Sequence, residues 1–418
     1  MRARMIVGVL LLVGCTAGID GPTRPAGPAI LDVVALGSEM GSMIVDARTG
    51  AVLAADAGEI PSPDGSRLYA TASAAGLTTL RTRDTASGEV LSARTIDGRL
   101  EARVASTTGS AVALMSPLPE GLDPSDAIPR SRTTIVVVDP TGDAAPRRYR
   151  LTGNFEPEAF SVDDSRLFLI QYLPAEAPSV YRVTYLDLRE GGVHAVFGRF
   201  KSPPERMPGV RLSQVFDPAS EQLYTLYTNR KAAHFHDHWQ TESYGGNEVS
   251  FVHVLNLRDG WAFCAGLPRV LWGQPASAQA MAPSPDGTQL YVVDSVRGRI
   301  AQLDTRSMRI VRRATIDLGS GEGGRTAAVM SPEGGTLFVT SARNDAVVYG
   351  IDVGSFTVRD RWSIGEAVAE LGLSDDGGRL YAALPDAIAI VDTDTGDPLG
   401  ELDVGHIESI VHIATPSR

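Results

Sequence analysis

The stretch SPDGTQLYVVDS, residues 284–295, joins a tight turn to an apolar run and recurs along the chain. In the turn, proline fixes φ at the second position, aspartate suits the third, and glycine accepts a positive φ. The run that follows is β-branched, aromatic and apolar at successive positions, which predicts a strand covered on both faces. The further copies are SPDGSRLYATAS (62–73), STTGSAVALMS (106–116, weaker), SVDDSRLFLIQY (161–172), DPASEQLYTLYT (217–228), SPEGGTLFVTSA (331–342) and SDDGGRLYAAL (374–384).

A second signal follows each copy at a variable distance: an apolar strand that ends in aspartate and then turns. The Asp and Thr side chains of this turn can accept hydrogen bonds from turn amides. A further strand comes after it, so the repeating unit is about 40–55 residues with four strands. Examples of the second signal are TRDTASG (82–88), VVDPTG (137–142), YLDLREG (185–191), QLDTRSM (302–308) and IVDTDTG (390–396).

A four-stranded antiparallel unit repeated at this period predicts an all-β fold, a β-propeller. One blade cannot bury both of its faces, whereas blades stacked in a ring cover one another. Seven full units fit between about residues 57 and 405. The N-terminal strands from ILDVVALG (30–37) and the C-terminal HIESIVHIAT (406–415) remain, and joined together they make an eighth blade. We predict eight blades, with seven as the alternative.

The phrases SPDG-x-x-LYV and V-x-x-IDT-x-T resemble the YVTN/lactonase-like β-propeller repeat family. The resemblance covers most of residues 57–405 and is clearest at 282–310, 330–355 and 373–396. It implies the fold more than an activity, because the family includes lactone-hydrolysing enzymes as well as surface proteins. Quinoprotein dehydrogenases are a poorer match, since VDARTGAVLAAD and VDTDTGDPLGEL carry only the D-x-x-T-G part of their docking motif, without its Lys and Trp.

The first 15 residues differ from the rest of the chain. MRAR is a basic n-region, and MIVGVLLLV is an apolar run too short to span a bilayer as a stable helix. The run ends in Leu-Val-Gly-Cys, which resembles the lipobox of bacterial lipoproteins and implies a lipid on Cys15. We therefore predict a signal peptide over 1–15, a flexible Gly/Pro tether over 16–29 and the propeller over 30–418.

The formal net charge of −12 argues against binding to nucleic acid. The only other cysteine, Cys264, lies in the apolar segment WAFCAGL and is predicted to be a core residue. We expect a monomeric protein that is exported and held at the cell envelope, facing the periplasm or the cell surface. Its expected partners are the membrane, through the lipid, and an envelope protein or a small polar ligand.

The order of strands in a blade separates two rims. The SPDG turns join the first and second strands, and the D-x-x-T-G turns join the third and fourth, so both lie on one rim, the turn rim. The opposite rim, the variable rim, carries the remaining connections and is where ligand sites are expected. Two insertions belong there: residues 117–132, interpreted as an acidic, Pro-rich solvated loop, and residues 229–249.

The second insertion contains HFHDHW, with His234, His236 and His238 at alternate positions. In an extended segment the three imidazoles point to one side and can hold zinc or copper. A solvated loop is the alternative interpretation. His253 in the next strand is predicted to be a packed strand residue rather than a fourth ligand.

Charged residues also precede or begin the innermost strands, which converge on the channel mouth. Carboxylates and arginines there could bind a polar small molecule or act as acid–base pairs; a hydrated channel of satisfied charges is the alternative. The candidate contacts are Glu156, Arg211, Arg325, Glu366, His406 and Glu408.

These features together predict a cell-envelope lipoprotein whose propeller is a non-catalytic binding or scaffolding module. Two alternatives stay open. One is a periplasmic or surface hydrolase, lactonase-like, acting with or without a metal ion; the other is a zinc- or copper-binding protein that uses the HFHDHW loop.

Overall fold

The computed structural model folds into eight antiparallel blades arranged in a ring, as the repeat predicts. No helix in the described part of the chain is long and apolar enough to cross a membrane. The structure describes residues 32–38, 41–56, 59–119, 128–142, 144–199, 206–207, 210–229, 249–272, 278–319, 325–341, 346–407 and 409–414.

The strands occupy most of the described chain, and a 3-10 turn lies at Arg269–Leu271. In chain order the strands are β1 Val33–Ser38, β2 Gly41–Asp46, β3 Val52–Asp56, β4 Glu59–Pro61, β5 Arg67–Ala74, β6 Leu77–Asp84, β7 Val90–Asp97, β8 Glu101–Ala105, β9 Val112–Met115, β10 Arg132–Val138, β11 Arg147–Thr152, β12 Asn154–Phe160, β13 Arg166–Leu173, β14 Val180–Asp187, β15 Val193–Ala195, β16 Phe197–Gly198, β17 Val210–Asp217, β18 Gln222–Asn229, β19 Val249–Asn256, β20 Trp261–Gly266, β21 Gln279–Pro283, β22 Gln289–Asp294, β23 Arg299–Asp304, β24 Arg309–Thr315, β25 Ala328–Met330, β26 Thr336–Thr340, β27 Val347–Asp352, β28 Thr357–Ser363, β29 Glu370–Leu373, β30 Arg379–Ala383, β31 Ala387–Asp392, β32 Pro398–Asp403 and β33 Ser409–Ala414.

Each of blades 1 to 7 is a consecutive four-stranded meander whose first strand is innermost. The first strands of successive blades contact one another around most of the ring. In order, blades 1 to 7 are β4–β7, β8–β11, β12–β15, β17–β20, β21–β24, β25–β28 and β29–β32.

Blade 8 is built from both ends of the chain. The C-terminal β33 is its innermost strand and pairs antiparallel with β1, so that Val34 lies opposite Ile413. The outer strands β2 and β3 follow β1. The prediction of eight blades, with the termini sharing the last one, is confirmed.

The apolar runs after the SPDG turns are explained by burial on both faces of each sheet. In β22, Leu290 and Val292 pack in the interface with blade 4, whereas Tyr291 and Val293 pack in the interface with blade 6. All four side chains are buried. Because a strand directs successive side chains to opposite faces, a sheet between two neighbours needs apolar residues at every position.

The two kinds of turn lie on the same rim, as the strand order predicts. The hydroxyl of Thr85 donates to the carbonyl of Gly65 at 2.9 Å, which joins the Asp-Thr turn of blade 1 to its SPDG turn. Thr305 and Thr393 make the same bond in blades 5 and 7, to Gly287 and Gly377. The Thr of the Asp-Thr pair therefore holds the two turns of a blade together.

Blade 4 departs from the four-stranded pattern. The short strand β16, which comes from the connection after blade 3, pairs in parallel with the outer strand β20. Its neighbour Arg199 lies over the ring of Trp261 at 5.1 Å and donates its backbone amide to the carbonyl of Ala262. The added strand covers an edge that would otherwise be exposed.

The junction of blades 8 and 1 contains a carboxyl group that titrates near neutral pH. Burial, reinforced by the nearby carboxylate of Asp56, raises the pKa of Glu59 from 4.5 to about 7, against the opposing influence of Arg83. Asp56 itself is ion-paired with Arg81 and Arg83. The folded chain thus keeps a proton on Glu59 between about pH 4.5 and 7 that the unfolded chain has already released.

This proton predicts that the stability contributed by Glu59 is lost as pH rises from about 4.5 to 7, because the folded state binds more protons there. Glu59→Gln is neutral throughout, so its unfolding free energy should fall less than that of the parent across this interval. Urea unfolding at pH 5, 6, 7 and 8 measures the difference, with Glu366→Gln as an exposed control. Parallel curves for the parent and Glu59→Gln would contradict the assignment.

Candidate ligand site at the mouth of the channel

The innermost strands of blades 2, 3 and 4 share an irregularity in their pairing. In each of β8, β12 and β17 the pairing register shifts by one residue, and the extra residues are Arg103, Glu158 and Leu212. A bulge leaves the extra residue out of the ladder and redirects the side chains around it. Three neighbouring bulges therefore bring charged side chains together; we call Glu101, Arg103, Arg130, Glu156, Glu158, Arg211 and Gln214 the mouth cluster.

Glu156 is the most deeply buried carboxylate of the mouth cluster, with a side chain 3% exposed. Arg103 Nε lies 3.0 Å from its Oε1, and Arg130 Nη1 donates to its Oε2 at 3.0 Å. Burial raises the pKa of Glu156, while the two guanidinium groups act in the opposite direction. Two cations on one buried carboxylate hold it in place, since an unpaired charge at this depth would be strongly unfavourable.

Arg130 reaches this position from the insertion at 117–132. Its backbone amide donates to the carbonyl of Ala175 at 3.0 Å, and its guanidinium also donates to the carbonyl of Phe155. The side chain of Asn154 donates to the carbonyls of Ile128 and Ala175 and so fastens the end of the insertion to blade 3. The described end of this insertion is therefore part of the site, a role that the sequence analysis did not assign to it.

Arg103 links the buried carboxylate to the surface of the rim. Its Nη1 donates to Glu101 Oε2 at 2.7 Å, and its Nη2 donates to the carbonyl of Ser116 at 2.9 Å. The amide of Leu118 also donates to Glu101. The guanidinium of Arg103 is thus surrounded by acceptors and serves as a brace rather than as an open binding group.

Glu158 makes a second ion pair across the interface between blades 3 and 4. Arg211 Nη1 donates to Glu158 Oε2 at 3.2 Å, and Gln214 Nε2 donates to its Oε1 at 2.6 Å. Gln214 is held in turn by Thr225 at 3.0 Å. The carboxylate is 6% exposed, whereas its partner Arg211 is 28% exposed.

A row of aromatic rings lies between blades 3 and 4 close to these charges. Tyr172, opposite Asn154 in the sheet, meets Tyr181 edge-on at 6.2 Å, and Tyr181 packs on Tyr227 at 5.4 Å. Tyr227 stacks on Phe251 at 5.3 Å. Burial, with the carboxylates of Glu158 and Glu156, raises the pKa of Tyr172, so its phenol stays neutral beneath the mouth cluster.

The structure brings together two of the residues that the sequence analysis selected, Glu156 and Arg211. Arg325 instead pairs with Glu370 at 3.8 Å between blades 6 and 7. Glu366 and His406 are exposed, and His406 Nδ1 lies 3.1 Å from the carbonyl oxygen of Pro385. The predicted positions that lie outside the described residues are Cys15, His234, His236, His238 and Glu408.

The sequence analysis also predicted a metal site and two buried side chains. The described residues contain no group of three or more His, Cys, Asp and Glu side chains that could hold a metal ion. The predicted burial of two side chains is confirmed: His253 is 5% exposed and Cys264 is 7% exposed. Burial lowers the pKa of His253 to about 4, so its imidazole is neutral at physiological pH.

Sequence reasoning did not select Glu101, Arg103, Arg130, Glu158 or Gln214 as contacts. Arg103 sits inside a short strand that reads as ordinary, and only the bulge turns it toward Glu156. Arg130 carried a usable signal, because it is a cation at the end of an insertion, next to a predicted strand. No sequence feature marked Gln214 as part of a site.

The mouth cluster is suited to binding an acidic or carbonyl group. Its two deeply buried carboxylates orient arginines that are partly open to solvent, Arg130 at 19% and Arg211 at 28%. Fixed guanidinium groups bind carboxylate and similar oxygens well, because their donors are already in position. The carboxylates themselves are engaged, which makes them poor proton donors or acceptors for a substrate.

Comparison with known proteins supports the fold and nothing narrower. No family model matches the chain, and no curated protein matches it. Among solved structures, apo AztD from Citrobacter koseri is similar at 12% identity, with 92% of this chain and 96% of that chain covered and a TM-score of 0.53. The dihydro-heme d1 dehydrogenase NirN, solved in complex with DHE, is similar at 16% identity, with 93% and 76% covered and a TM-score of 0.51.

Proposed function

We propose that this protein is a non-catalytic binding module of the bacterial cell envelope, carried on a lipid at Cys15. Its partner, an envelope protein, docks on the variable rim and places an acidic or carbonyl group against Arg130 and Arg211. The observation that carries the proposal is the pairing in the mouth cluster: Glu156 and Glu158 are each held by arginine. Such a site is built to hold a group in place.

The same pairing favours binding over the hydrolase alternative. A general acid or base must exchange a proton with the substrate, and its carboxyl group must therefore be within hydrogen-bond reach of the reacting atom. Glu156 is 3% exposed and lies between two arginines. A hydrolase with this carboxyl as its acid would have to break both ion pairs before each turnover.

Site-specific photo-crosslinking in the native envelope tests where the partner binds. A photoreactive residue at Ser116, exposed next to the mouth cluster, should capture one specific protein. The photoreactive residue placed at Ser307, which is also exposed but lies on the turn rim, should capture no such protein. The double variant Arg130→Ala/Glu156→Gln should abolish capture at Ser116 without leaving an unpaired buried carboxylate, and Arg306→Ala should not alter it. Capture that persists in the double variant, or that occurs equally at Ser307, would contradict the proposal.

The lipid anchor has its own test. Cys15→Ala should move the protein from the membrane fraction to the soluble fraction while leaving the capture at Ser116 intact in solution. A Cys15→Ala chain that remains in the membrane fraction would rule out this anchor without bearing on the mouth cluster.

Metal binding through His234, His236 and His238 is a second candidate. The flanking strands β18 and β19 end and begin at the variable rim, in blade 4, the blade that also carries Arg211. Metal analysis of protein purified without a His tag should then find one zinc or copper ion per chain, and its loss when the three His become Ala. Metal-free protein would exclude this candidate.

A further inference from the structure

The interface between blades 3 and 4 contains two sulfur atoms in contact. Cys264 Sγ lies 3.7 Å from Met207 Sδ, and both side chains are buried. Met207 is held there by two backbone hydrogen bonds with Tyr181, at 2.7 and 3.0 Å. Metal–sulfur bonds of about 2.3 Å span such a separation at an angle close to tetrahedral.

An imidazole lies beside these sulfurs. His253 is directly opposite Cys264 in the pairing of β19 with β20. Both face blade 3, because Phe251 and Leu255, on the same side of β19, pack in that interface, whereas Val252 and Val254 pack toward blade 5. The three side chains that meet here come from β19, from β20 and from the segment that connects blade 3 to blade 4.

The ring of His253 brings a neutral imidazole to the same interface. Its ring meets Tyr227 edge-on at 6.3 Å, and within the described part of the chain neither ring nitrogen takes part in a hydrogen bond. Imidazole is the commonest metal ligand.

We propose that Cys264, Met207 and His253 form a three-coordinate site for a cuprous ion, independent of the function proposed for the mouth cluster. Thiolate and thioether are soft ligands that favour Cu(I). The charges also favour Cu(I): one thiolate and one monovalent cation make a neutral centre, whereas Zn²⁺ would leave a net positive charge among apolar and aromatic side chains. Binding releases the thiol proton of Cys264 to solvent and involves no change in oxidation state.

The test is an anaerobic titration of Cu(I) against a chromogenic Cu(I) chelator. It is done on the full chain with His234, His236 and His238 changed to Ala, so that only the interface site remains. One Cu(I) per chain should bind. Cys264→Ser and Met207→Leu should each weaken binding by more than the roughly 10–100-fold that loss of an outer-sphere partner produces. X-ray absorption should show two sulfur ligands and one nitrogen ligand.

A matched control is available in the next interface. Met281 is buried like Met207 but lies between blades 4 and 5, so Met281→Leu should leave Cu(I) affinity unchanged. Leu conserves the volume of Met, so both variants should fold. Cu(I) should raise the melting temperature of the parent and of Met281→Leu but not of Met207→Leu. No Cu(I) uptake, or uptake insensitive to Cys264→Ser or to Met207→Leu, would overturn the proposal and mark the sulfur contact as packing alone.

Discussion

A chain that ends at Gly405 is expected to show no cooperative unfolding transition, because it lacks β33, the innermost strand of blade 8. Without it the backbone of β1 becomes an open sheet edge, and the ring cannot close. The side chains of Ile410 and Ile413 pack against Gly372 of blade 7, so that contact between blades is lost as well. Calorimetry of the shortened and parent chains measures the effect.

The control for this truncation is a chain that ends at Ala414, which keeps every residue of β33 and should unfold like the parent. A synthetic peptide with the sequence of residues 406–418 should restore a transition to the Gly405 chain when added in excess, because blade 8 can be completed by an added strand. A Gly405 chain that melts cooperatively at the parent temperature would show that closure is not required for stability.

Asp32→Ala is expected to lower the free energy of unfolding by about 3–5 kcal/mol, the usual penalty for removing one partner of a buried ion pair. Asp32 is fully buried and accepts hydrogen bonds from Arg379 Nε at 2.6 Å and Nη2 at 3.1 Å. The hydroxyl of Tyr381 donates to the same carboxylate at 2.5 Å. The variant removes the acceptor of the Tyr381 phenol and leaves the buried guanidinium of Arg379 with the exposed Asp376 as its carboxylate partner. Urea unfolding at pH 7 measures the loss.

Asp376 provides the matched control, since it pairs with the same Arg379 at 3.2 Å but is 59% exposed. Asp376→Ala should change stability by no more than about 1 kcal/mol, as exposed pairs contribute little. Asp32→Leu/Arg379→Met, which removes the buried charges together, should recover much of the stability lost in Asp32→Ala. Equal losses for Asp32→Ala and Asp376→Ala would show that burial does not decide the strength of this clamp.

The fold was predictable because the same turn and apolar strand recur along the chain. A weak turn signal such as STTGSAVALMS gains weight from the six clearer copies along the chain. Two departures were not predictable: the fifth strand β16 in blade 4 and the bulges in the innermost strands. Both depend on how neighbouring segments meet, and a local pattern of apolar residues is the same with or without them.

The candidate site was predictable only in part, for the same reason. Glu156 and Arg211 were selected because innermost strands converge on a channel, and both belong to the mouth cluster. Arg103 and Arg130 were not selected, although they hold Glu156 from another blade and from an insertion. Their role arises from contacts between segments that are distant in the chain, which periodicity does not record.

By itself, the sequence determined the blade and its turns, because these depend on φ preferences and on apolar side chains spaced a few residues apart. It left eight or seven blades open, and the pairing of β33 with β1 decided for eight. The tertiary structure alone decided which buried groups face each other. Asp32 meets Arg379 and Cys264 meets Met207 only because stacked blades bring remote strands within a few ångströms. Electrostatic and sulfur contacts act over such short distances in space, and separation along the chain has no influence on them.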